Sequence, residues 1–173
     1  MKKLTVVGIG PGAYEQMTIQ AAAALGQAQV IVGYTAYVDL VRDHFPDKRF
    51  CATPMTKEVE RCELAFQEAM AGQDVAVICS GDAGVYGMSG LIYEVGQRYP
   101  QVEIAVVPGV TAALSGGAVL GAPLIHDFAV VSLSDRLTPW EKIEKRLLAA
   151  AEADFVVCLY NPASRTRRDY LQR

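Results

Sequence analysis

The stretch Asp74-Val75-Ala76-Val77-Ile78-Cys79, continued by Ser80-Gly81-Asp82-Ala83-Gly84-Val85-Tyr86-Gly87, decides the fold class. After Asp74 its first half is apolar at every position, which is typical of a parallel strand covered by helices on both faces. Its second half places three glycines and one acid in a turn. Because ligands bind at the carboxyl ends of strands in open α/β sheets, this stretch predicts a ligand loop.

The rest of the chain alternates short apolar runs with segments of helical periodicity, which predicts mainly parallel sheets. Thr18, Thr56 and Thr138 are the predicted N-caps of three helices, and Thr138 is expected to form a capping box with Glu141. We expect strands at 4–8, 29–33, 74–79, 103–107, 128–132 and 154–160, and helices at 18–26, 56–71, 86–98, 110–120, 139–151 and from 166 onward.

A domain junction is predicted near residues 120–124, where Pro123 prevents an Ala- and Gly-rich helix from continuing. Residues 1–119 would then form an N-terminal α/β domain, and residues 124–173 the start of a C-terminal α/β domain. Only two convincing strands fall in the second domain, so we expect it to be incomplete.

Composition narrows the classes of function. The 173 residues are 51% hydrophobic and 20% charged, as in a globular protein, and a net charge of −3 gives no global attraction to nucleic acid. The apolar runs are shorter than the roughly 20 residues of a membrane span, and no signal peptide is recognisable, so we expect a cytoplasmic protein. Four cysteines without metal-ligand spacing predict reduced thiols and no metal site.

Three glycine turns follow predicted strands, at residues 8–13, 80–87 and 108–112. Because the carboxyl ends of parallel strands meet at one edge of a sheet, we expect these turns to lie together. Their amides, the hydroxyls of Ser80 and Thr111 and the carboxylate of Asp82 would line a pocket with few bulky side chains, since glycine permits close approach of the backbone.

Other motifs fit less well. Gly8, Gly10 and Ala13 satisfy a dinucleotide fingerprint only loosely, because Pro11 removes one amide and no acid follows at the ribose position. The sequence contains no Walker loop and no GxSxG elbow. A Ser-His-Asp triad would require His126, for which a structural role is favoured.

Five motifs, taken in order, resemble the tetrapyrrole methylases of cobalamin biosynthesis: GIGPG at 8–12, VGY at 32–34, SGDAGVYG at 80–87, PGVTA at 108–112 and LYNP at 159–162. Within that family the resemblance is greatest to the members that methylate C17 of precorrin-3B or cobalt-factor III. The stretches that carry this finer resemblance are GDAGVYGM at 81–88, HDF at 126–128 with SLSD at 132–135 and LTPW at 137–140, and YNP at 160–162 with Ser164-Arg165. Relatives acting at other ring positions more often have proline where Ala83 stands.

The resemblance implies a two-domain α/β tetrapyrrole methylase fold that is usually dimeric, with S-adenosylmethionine held in a cleft between the domains. It implies methylation of C17 with contraction of the ring, and a chain that normally continues past the LYNP motif. By resemblance, the cofactor-binding residues are Pro11, Ser80, Gly81, Asp82, Val85, Tyr86, Thr111, Ala112 and Tyr160. The substrate-binding residues, by the same resemblance, are Gly10, Gly12, Tyr34, Ser132, Asn161 and Arg165.

A sulfonium methyl group is already activated, so a methylase of this type must chiefly align the reacting atoms. Asp82, Ser132, Asp135 and His126 are candidates, by position only, for a proton step, and none is assigned as catalytic. Asp82 also fits a turn residue that binds its own backbone. Three alternatives stay open: a non-catalytic module that binds S-adenosylmethionine or a tetrapyrrole, an interaction domain, and a methylase acting at another ring position.

Overall fold

The computed structural model describes residues 2–164 and 168–172, and the chain divides into two compact units, Met1–Ser115 and Gly116–Arg173. The predicted domains, 1–119 and 124–173, stay a prediction. The division between the compact units falls inside one helix, Ala112–Val119. Each unit is described by itself.

Unit 1 is built from strands that alternate with helices. Its strands are β1 (Lys2–Gly8), β2 (Val30–Tyr34), β3 (Arg49–Thr53), β4 (Val75–Cys79) and β5 (Val102–Val107). Its α-helices are α1 (Ile19–Gln27), α2 (Thr35–Val41), α3 (Glu58–Met70), α4 (Ser89–Gly96) and the start of α5 (Ala112–Val119), with short 3-10 helices at Tyr14–Gln16 and Arg42–His44.

The five strands form one sheet in the order β3-β2-β4-β1-β5, and every neighbouring pair is parallel. At the centre, Val6 of β1 is paired with Val77 of β4 on one side and with Val106 of β5 on the other. All five strands therefore end at the same edge of the sheet. The predicted α/β architecture with mainly parallel strands is confirmed.

Helices cover both faces of this sheet. On one face, Val77 belongs to a buried cluster with Phe66 of α3 and Ile92 of α4. On the other face, Ile78 belongs to a cluster with Leu25 of α1. Burial of each such side chain stabilises the fold by about 1.5–3 kcal/mol. The two clusters explain why β4 is apolar at every position.

β3 and α2 were not predicted from the sequence. β3 lies at the edge of the sheet, where Arg49 is exposed and Thr53 is buried, so its five residues show no continuous apolar run. α2 follows β2 directly and has no side-chain N-cap, so the usual start signal is absent. Residues 86–88 were predicted to be helical, but they belong to the turn before α4.

The predicted helix caps differ in outcome. Thr18 is confirmed, since its hydroxyl oxygen accepts a hydrogen bond of 3.0 Å from the amide of Ala21. Thr56 is not a cap, because its backbone is left-handed (φ 68°) and α3 begins without a side-chain cap. The predicted capping box at Thr138 is also wrong, since Pro139 is the N-cap of α6 (Trp140–Glu152) and makes no side-chain bond.

Unit 2 consists of β6 (Phe128–Ser132), α6, β7 (Val156–Tyr160) and a short 3-10 helix at Tyr170–Gln172. β6 and β7 pair in parallel, and Ile143 of α6 packs with Val131 and Leu133 in a small core. The prediction of a helix from residue 166 onward falls partly on residues 165–167, which lie outside the described residues. Residues 170–172 form only the short 3-10 helix.

Among the described residues, no helix combines the length and the apolar character needed to cross a bilayer.

Candidate functional site

Three loops leave neighbouring strands at one edge of the unit 1 sheet. We call them the β1 loop (residues 8–12), the β4 loop (80–87) and the β5 loop (108–112). β1 lies between β4 and β5, so the three loops are adjacent although 100 residues separate the first from the last. The expectation that the glycine turns lie together is therefore confirmed.

The β1 and β4 loops are joined by their backbones. The amide of Gly10 donates to the carbonyl of Gly81 at 3.0 Å, and the amide of Gly81 donates to the carbonyl of Gly10 at 2.8 Å. Both glycines have positive φ, 70° and 67°, a region that residues with a Cβ rarely adopt. This reciprocal pair fixes the two loops as one surface.

Asp82 ties the β4 loop to the β5 loop. Its Oδ1 accepts hydrogen bonds from the amides of Gly84 (2.8 Å) and Val85 (3.1 Å), and its Oδ2 accepts one from the amide of Gly109 (3.0 Å). The first two bonds agree with the prediction that Asp82 is a turn residue. The third bond could not be predicted from the sequence. Both carboxylate oxygens accept hydrogen bonds, so Asp82 fixes the conformation of the backbone that a ligand would contact.

The glycines permit an approach between loops that a side chain would prevent. A Cβ on Gly109 would lie 2.2 Å from the carbonyl oxygen of Gly81, and a Cβ on Gly8 would lie 2.6 Å from the same atom. Real Cβ atoms essentially never lie that close to another heavy atom. The three loops can therefore pack in this arrangement only with glycine at these two positions.

Hydrogen bonds join the end of the β4 loop to its beginning and to the last residue of β4. The hydroxyl and the amide of Ser89 both donate to the carbonyl of Ala83, at 2.7 and 3.1 Å, and the amide of Met88 donates to Sγ of Cys79 at 3.4 Å. Burial raises the pKa of the Cys79 thiol to about 11. Between these contacts Tyr86 projects outward, 54% exposed and with a φ of 52°.

The structure brings most of the predicted cofactor residues of unit 1 to this surface. Ser80, Gly81, Asp82, Val85 and Tyr86 lie in the β4 loop, and Thr111 follows Gly109 in the β5 loop. A Cβ on Gly81 would be 3.6 Å from Cα of Thr111 and 3.8 Å from the amide nitrogen of Ala112, which places these loops in contact. Their roles toward a ligand stay predictions.

Of the predicted substrate residues of unit 1, Gly12 and Tyr34 lie beside α2 and Gly10 lies against the β4 loop. A Cβ on Gly12 would be 3.4 Å from a methyl group of Leu40 in α2, and Gly10 lies in the bridge to the β4 loop. Tyr34, at the end of β2, is half-buried and packs edge-on against Tyr37, with ring centroids 5.1 Å apart. Pro11 is exposed.

In unit 2, the predicted residues Ser132, Tyr160 and Asn161 meet at the carboxyl ends of β6 and β7. Nδ2 of Asn161 donates to Oγ of Ser132 at 2.9 Å, and Ser132 is paired with Tyr160 in the sheet register. Asn161 has a φ of 53°, a left-handed backbone that asparagine tolerates. Arg165 lies outside the described residues.

The structure also describes two further candidates from the sequence, Asp135 and His126. The Asp135 carboxylate accepts a hydrogen bond from the hydroxyl of Tyr170, and His126 is exposed in the segment before β6. A search of the described residues for three or more His, Cys, Asp or Glu side chains placed to hold a metal ion finds no such group.

The contact between Cys79 and Met88 was not predicted from the sequence, and neither was a role for Arg61 of α3. Cys79 was interpreted as a small apolar strand residue, which its burial supports, but its sulfur also accepts the amide of Met88. The available signal for Arg61 was its position beside Cys62, Ala65 and Phe66, on the face of α3 that is otherwise apolar.

A sequence profile of the tetrapyrrole (corrin/porphyrin) methylases matches residues 3–173. The chain belongs to this family. It is 52% identical over 171 residues to a probable cobalt-factor III C(17)-methyltransferase of Salmonella typhimurium, covering 98% of this chain and 71% of that protein. It is 50% identical over 173 residues to a cobalt-factor III methyltransferase of Priestia megaterium, covering 96% of this chain and 32% of that protein.

Solved structures of methylases share the fold. The crystal structure of the methyltransferase CobJ superposes with a TM-score of 0.90 at 38% identity, covering 99% of this chain and 73% of that one. A uroporphyrin-III C-methyltransferase of Thermus thermophilus, solved with S-adenosylhomocysteine, superposes at 0.58 with 29% identity, covering 75% and 55%. This methylase chain therefore spans from about a third to about three quarters of the length of the proteins it matches.

Proposed function

We propose that the protein is an S-adenosylmethionine-dependent methyltransferase of cobalamin biosynthesis, which methylates C17 of precorrin-3B or cobalt-factor III with contraction of the ring. The observation that carries the proposal is the 52% identity with the Salmonella relative over 98% of this chain, a range that includes all three loops. The relatives named for cobalt-factor III favour the cobalt-containing substrate.

The three loops fit S-adenosylmethionine by their chemistry. Residues 8–12, 80–87 and 108–112 contain no lysine or arginine and a single carboxylate, Asp82. Such a surface offers backbone amides, carbonyls and hydroxyls, which suit a cationic sulfonium and a zwitterionic amino acid better than a polyphosphate, whose sites usually contain Lys or Arg. When bound, S-adenosylmethionine supplies an electrophilic methyl group.

We assign different tasks to the two sets of residues. We assign the cofactor to the β4 and β5 loops and Pro11, through Ser80, Gly81, Val85, Tyr86, Thr111 and Ala112, and the family resemblance adds Tyr160. Asp82 acts indirectly, because it holds the amides of Gly84, Val85 and Gly109 in place. Gly10, Gly12, Tyr34, Ser132, Asn161 and Arg165 orient the tetrapyrrole.

The chain's contribution to the reaction is then alignment. A pre-formed surface that fixes both reactants removes translational and rotational entropy from the transfer step, which is worth up to roughly 7–11 kcal/mol in well-oriented systems. The β1, β4 and β5 loops provide such a surface, and the transfer needs no strong nucleophile. No residue is assigned to the proton step of ring contraction.

The test is a product analysis. The protein, expressed at its full encoded length, is incubated with S-adenosylmethionine and cobalt-factor III, and separately with precorrin-3B. We expect one equivalent of S-adenosylhomocysteine per added methyl group, and NMR should locate the methyl group at C17. A methyl group at another ring carbon would contradict the assignment of position. Binding of both ligands without turnover would instead support a non-catalytic module.

We further propose that the protein is a homodimer located in the cytoplasm. Four free cysteines, of which Cys62 and Cys79 are buried, suit a reducing compartment. Exposed apolar side chains such as Ile19 (90% exposed) and Leu137 (98%) are compatible with a protein interface. Sedimentation at several concentrations tests the dimer, and fractionation of cells tests the location.

A further inference from the structure

Arg61 is a charged residue in the core of unit 1. It lies on the buried face of α3 and is only 4% exposed. Across residues 2–164 and 168–172 the structure shows no ion pair for it. Burying a guanidinium is unfavourable unless its donors are satisfied. Arg61 therefore requires an explanation that the apolar core does not provide.

The guanidinium bridges two segments at the ligand edge of the sheet. Nε donates to Oγ1 of Thr53, the last residue of β3, at 2.8 Å, and Nη2 donates to the carbonyl of Pro54 at 3.2 Å. Nη1 donates to Sδ of Met88 at 3.7 Å. A thioether is a weak acceptor, so this third contact contributes less free energy than the other two, and it places the Met88 side chain beside the guanidinium.

Met88 is the point at which the β4 loop closes. Its amide donates to Cys79, and the next residue, Ser89, binds the carbonyl of Ala83 twice. The loop is thus fixed at its start by Asp82 and at its end by Met88. Tyr86, with its left-handed backbone, projects between the two fixed points. Movement of Met88 would displace Tyr86 and Gly87, whereas Gly84, Val85 and Gly109 remain bonded to Asp82.

We propose that Arg61 is a positioning residue for the proposed methyl transfer, and that it acts by holding Met88 so that the outer half of the β4 loop is ready for the cofactor. This inference rests on the proposed function of the same site. Buried ion pairs can be replaced by apolar residues of similar volume without loss of stability, so burial of a charge does not by itself indicate a role in folding. We therefore assign Arg61 to binding rather than to folding.

Three variants of the full-length protein test this role: Arg61→Met, Arg61→Lys and Met88→Leu. The control is Arg98→Met, which removes an exposed arginine that pairs with Glu63 outside the site. The probe is S-adenosylhomocysteine, measured by calorimetry. Two further readouts are the Met88 methyl signal in protein labelled with 13C-methionine, assigned from the Met88→Leu variant, and the midpoint of urea unfolding.

We expect Arg61→Met to weaken S-adenosylhomocysteine binding by about tenfold, which corresponds to about 1.4 kcal/mol, or roughly one hydrogen bond to the ligand. Arg61→Lys should be intermediate, since one ammonium group cannot reach all three acceptors. The Met88 methyl signal should shift in both Arg61 variants, Met88→Leu should show part of the loss, and Arg98→Met should bind as the wild type does.

Two results would overturn the inference. One is an unchanged Met88 methyl signal in Arg61→Met. It would show that Arg61 does not position Met88, whether or not the wild type binds S-adenosylhomocysteine. The other is wild-type affinity in Arg61→Met together with a lower urea midpoint, which would make Arg61 a purely structural residue. Failure of the wild type itself to bind S-adenosylhomocysteine would instead reject the proposed function, and with it a role of Arg61 in that function.

Discussion

Substitution of Asp82 provides the sharpest test of the site, because one carboxylate fixes three amides from two loops. In Asp82→Asn one oxygen becomes an NH₂ group, so a donor faces at least one of these amides. Asp82→Ala removes all three bonds and leaves the amides of Gly84, Val85 and Gly109 without their acceptor. The two variants therefore form a graded series.

The expected magnitude follows from the bonds lost. A hydrogen bond to a charged group contributes about 1.5–3 kcal/mol, so Asp82→Asn should lower the free energy of unfolding by about 2 kcal/mol. Asp82 is half-buried, and water can reach part of the loop, so Asp82→Ala should lower it by about 4 kcal/mol rather than the full sum. With a urea m-value of about 2 kcal/mol/M, the midpoints should fall by about 1 M and about 2 M.

Urea unfolding followed by circular dichroism measures the stability. Amide hydrogen exchange of Gly84, Val85 and Gly109 shows whether the loss is local, and exposed Asp43→Asn serves as the control. The reasoning would be refuted if Asp82→Ala unfolded at the wild-type midpoint, or if Gly109 kept its protection while the protein as a whole was destabilised.

Three further predictions concern the same unit. Gly109→Ala should destabilise the protein by roughly 3 kcal/mol or more in thermal unfolding, because the new Cβ would clash with Gly81. The control is Gly26→Ala in α1, where the space is open, and it should be neutral or stabilising by up to about 1 kcal/mol. Thr18→Ala should cost about 1 kcal/mol through the lost cap, and Thr18→Ser should restore most of it. The pKa of Cys79 is raised from its ordinary value of 9.0 to about 11 in the folded protein. The neutral thiol therefore contributes fully to the stability of the fold below pH 9, and this contribution is lost as the pH rises through 11. The stability should therefore fall by about 2 kcal/mol between these values, and Cys79→Ala should show a shallower fall in urea unfolding at pH 8, 9.5 and 11.

The architecture of unit 1 could be predicted because its central strands have a strong signal. β4 is apolar throughout, and the glycine turns after β1, β4 and β5 mark the strand ends. β3 could not be predicted, because an edge strand faces solvent and its residues need not be apolar. The start of α2 gave no signal, since the helix follows β2 without a side-chain cap.

The candidate site could be predicted at the level of loops but not of bonds. Loop positions follow from glycine and proline, which act locally, so the β1, β4 and β5 loops were found. The bond from the Gly109 amide to Asp82 joins residues 27 positions apart, and no local pattern announces such a partner. The contact of Arg61 with Met88, also 27 positions apart, escaped prediction for the same reason.

The position of β5 in the sheet makes one side of the site depend on a single strand pairing. β5 is both the final strand of the unit along the chain and an edge strand, held in the sheet only by β1. Detachment of that one strand would remove Gly109 from Asp82 and open the site, while the other four strands kept their pairing. Local opening of part of a structure costs less free energy than global unfolding. A bound ligand that contacts the β5 loop would therefore protect the amides of β5 against hydrogen exchange more than those of β2, so occupancy of the site could be followed at the margin of the sheet.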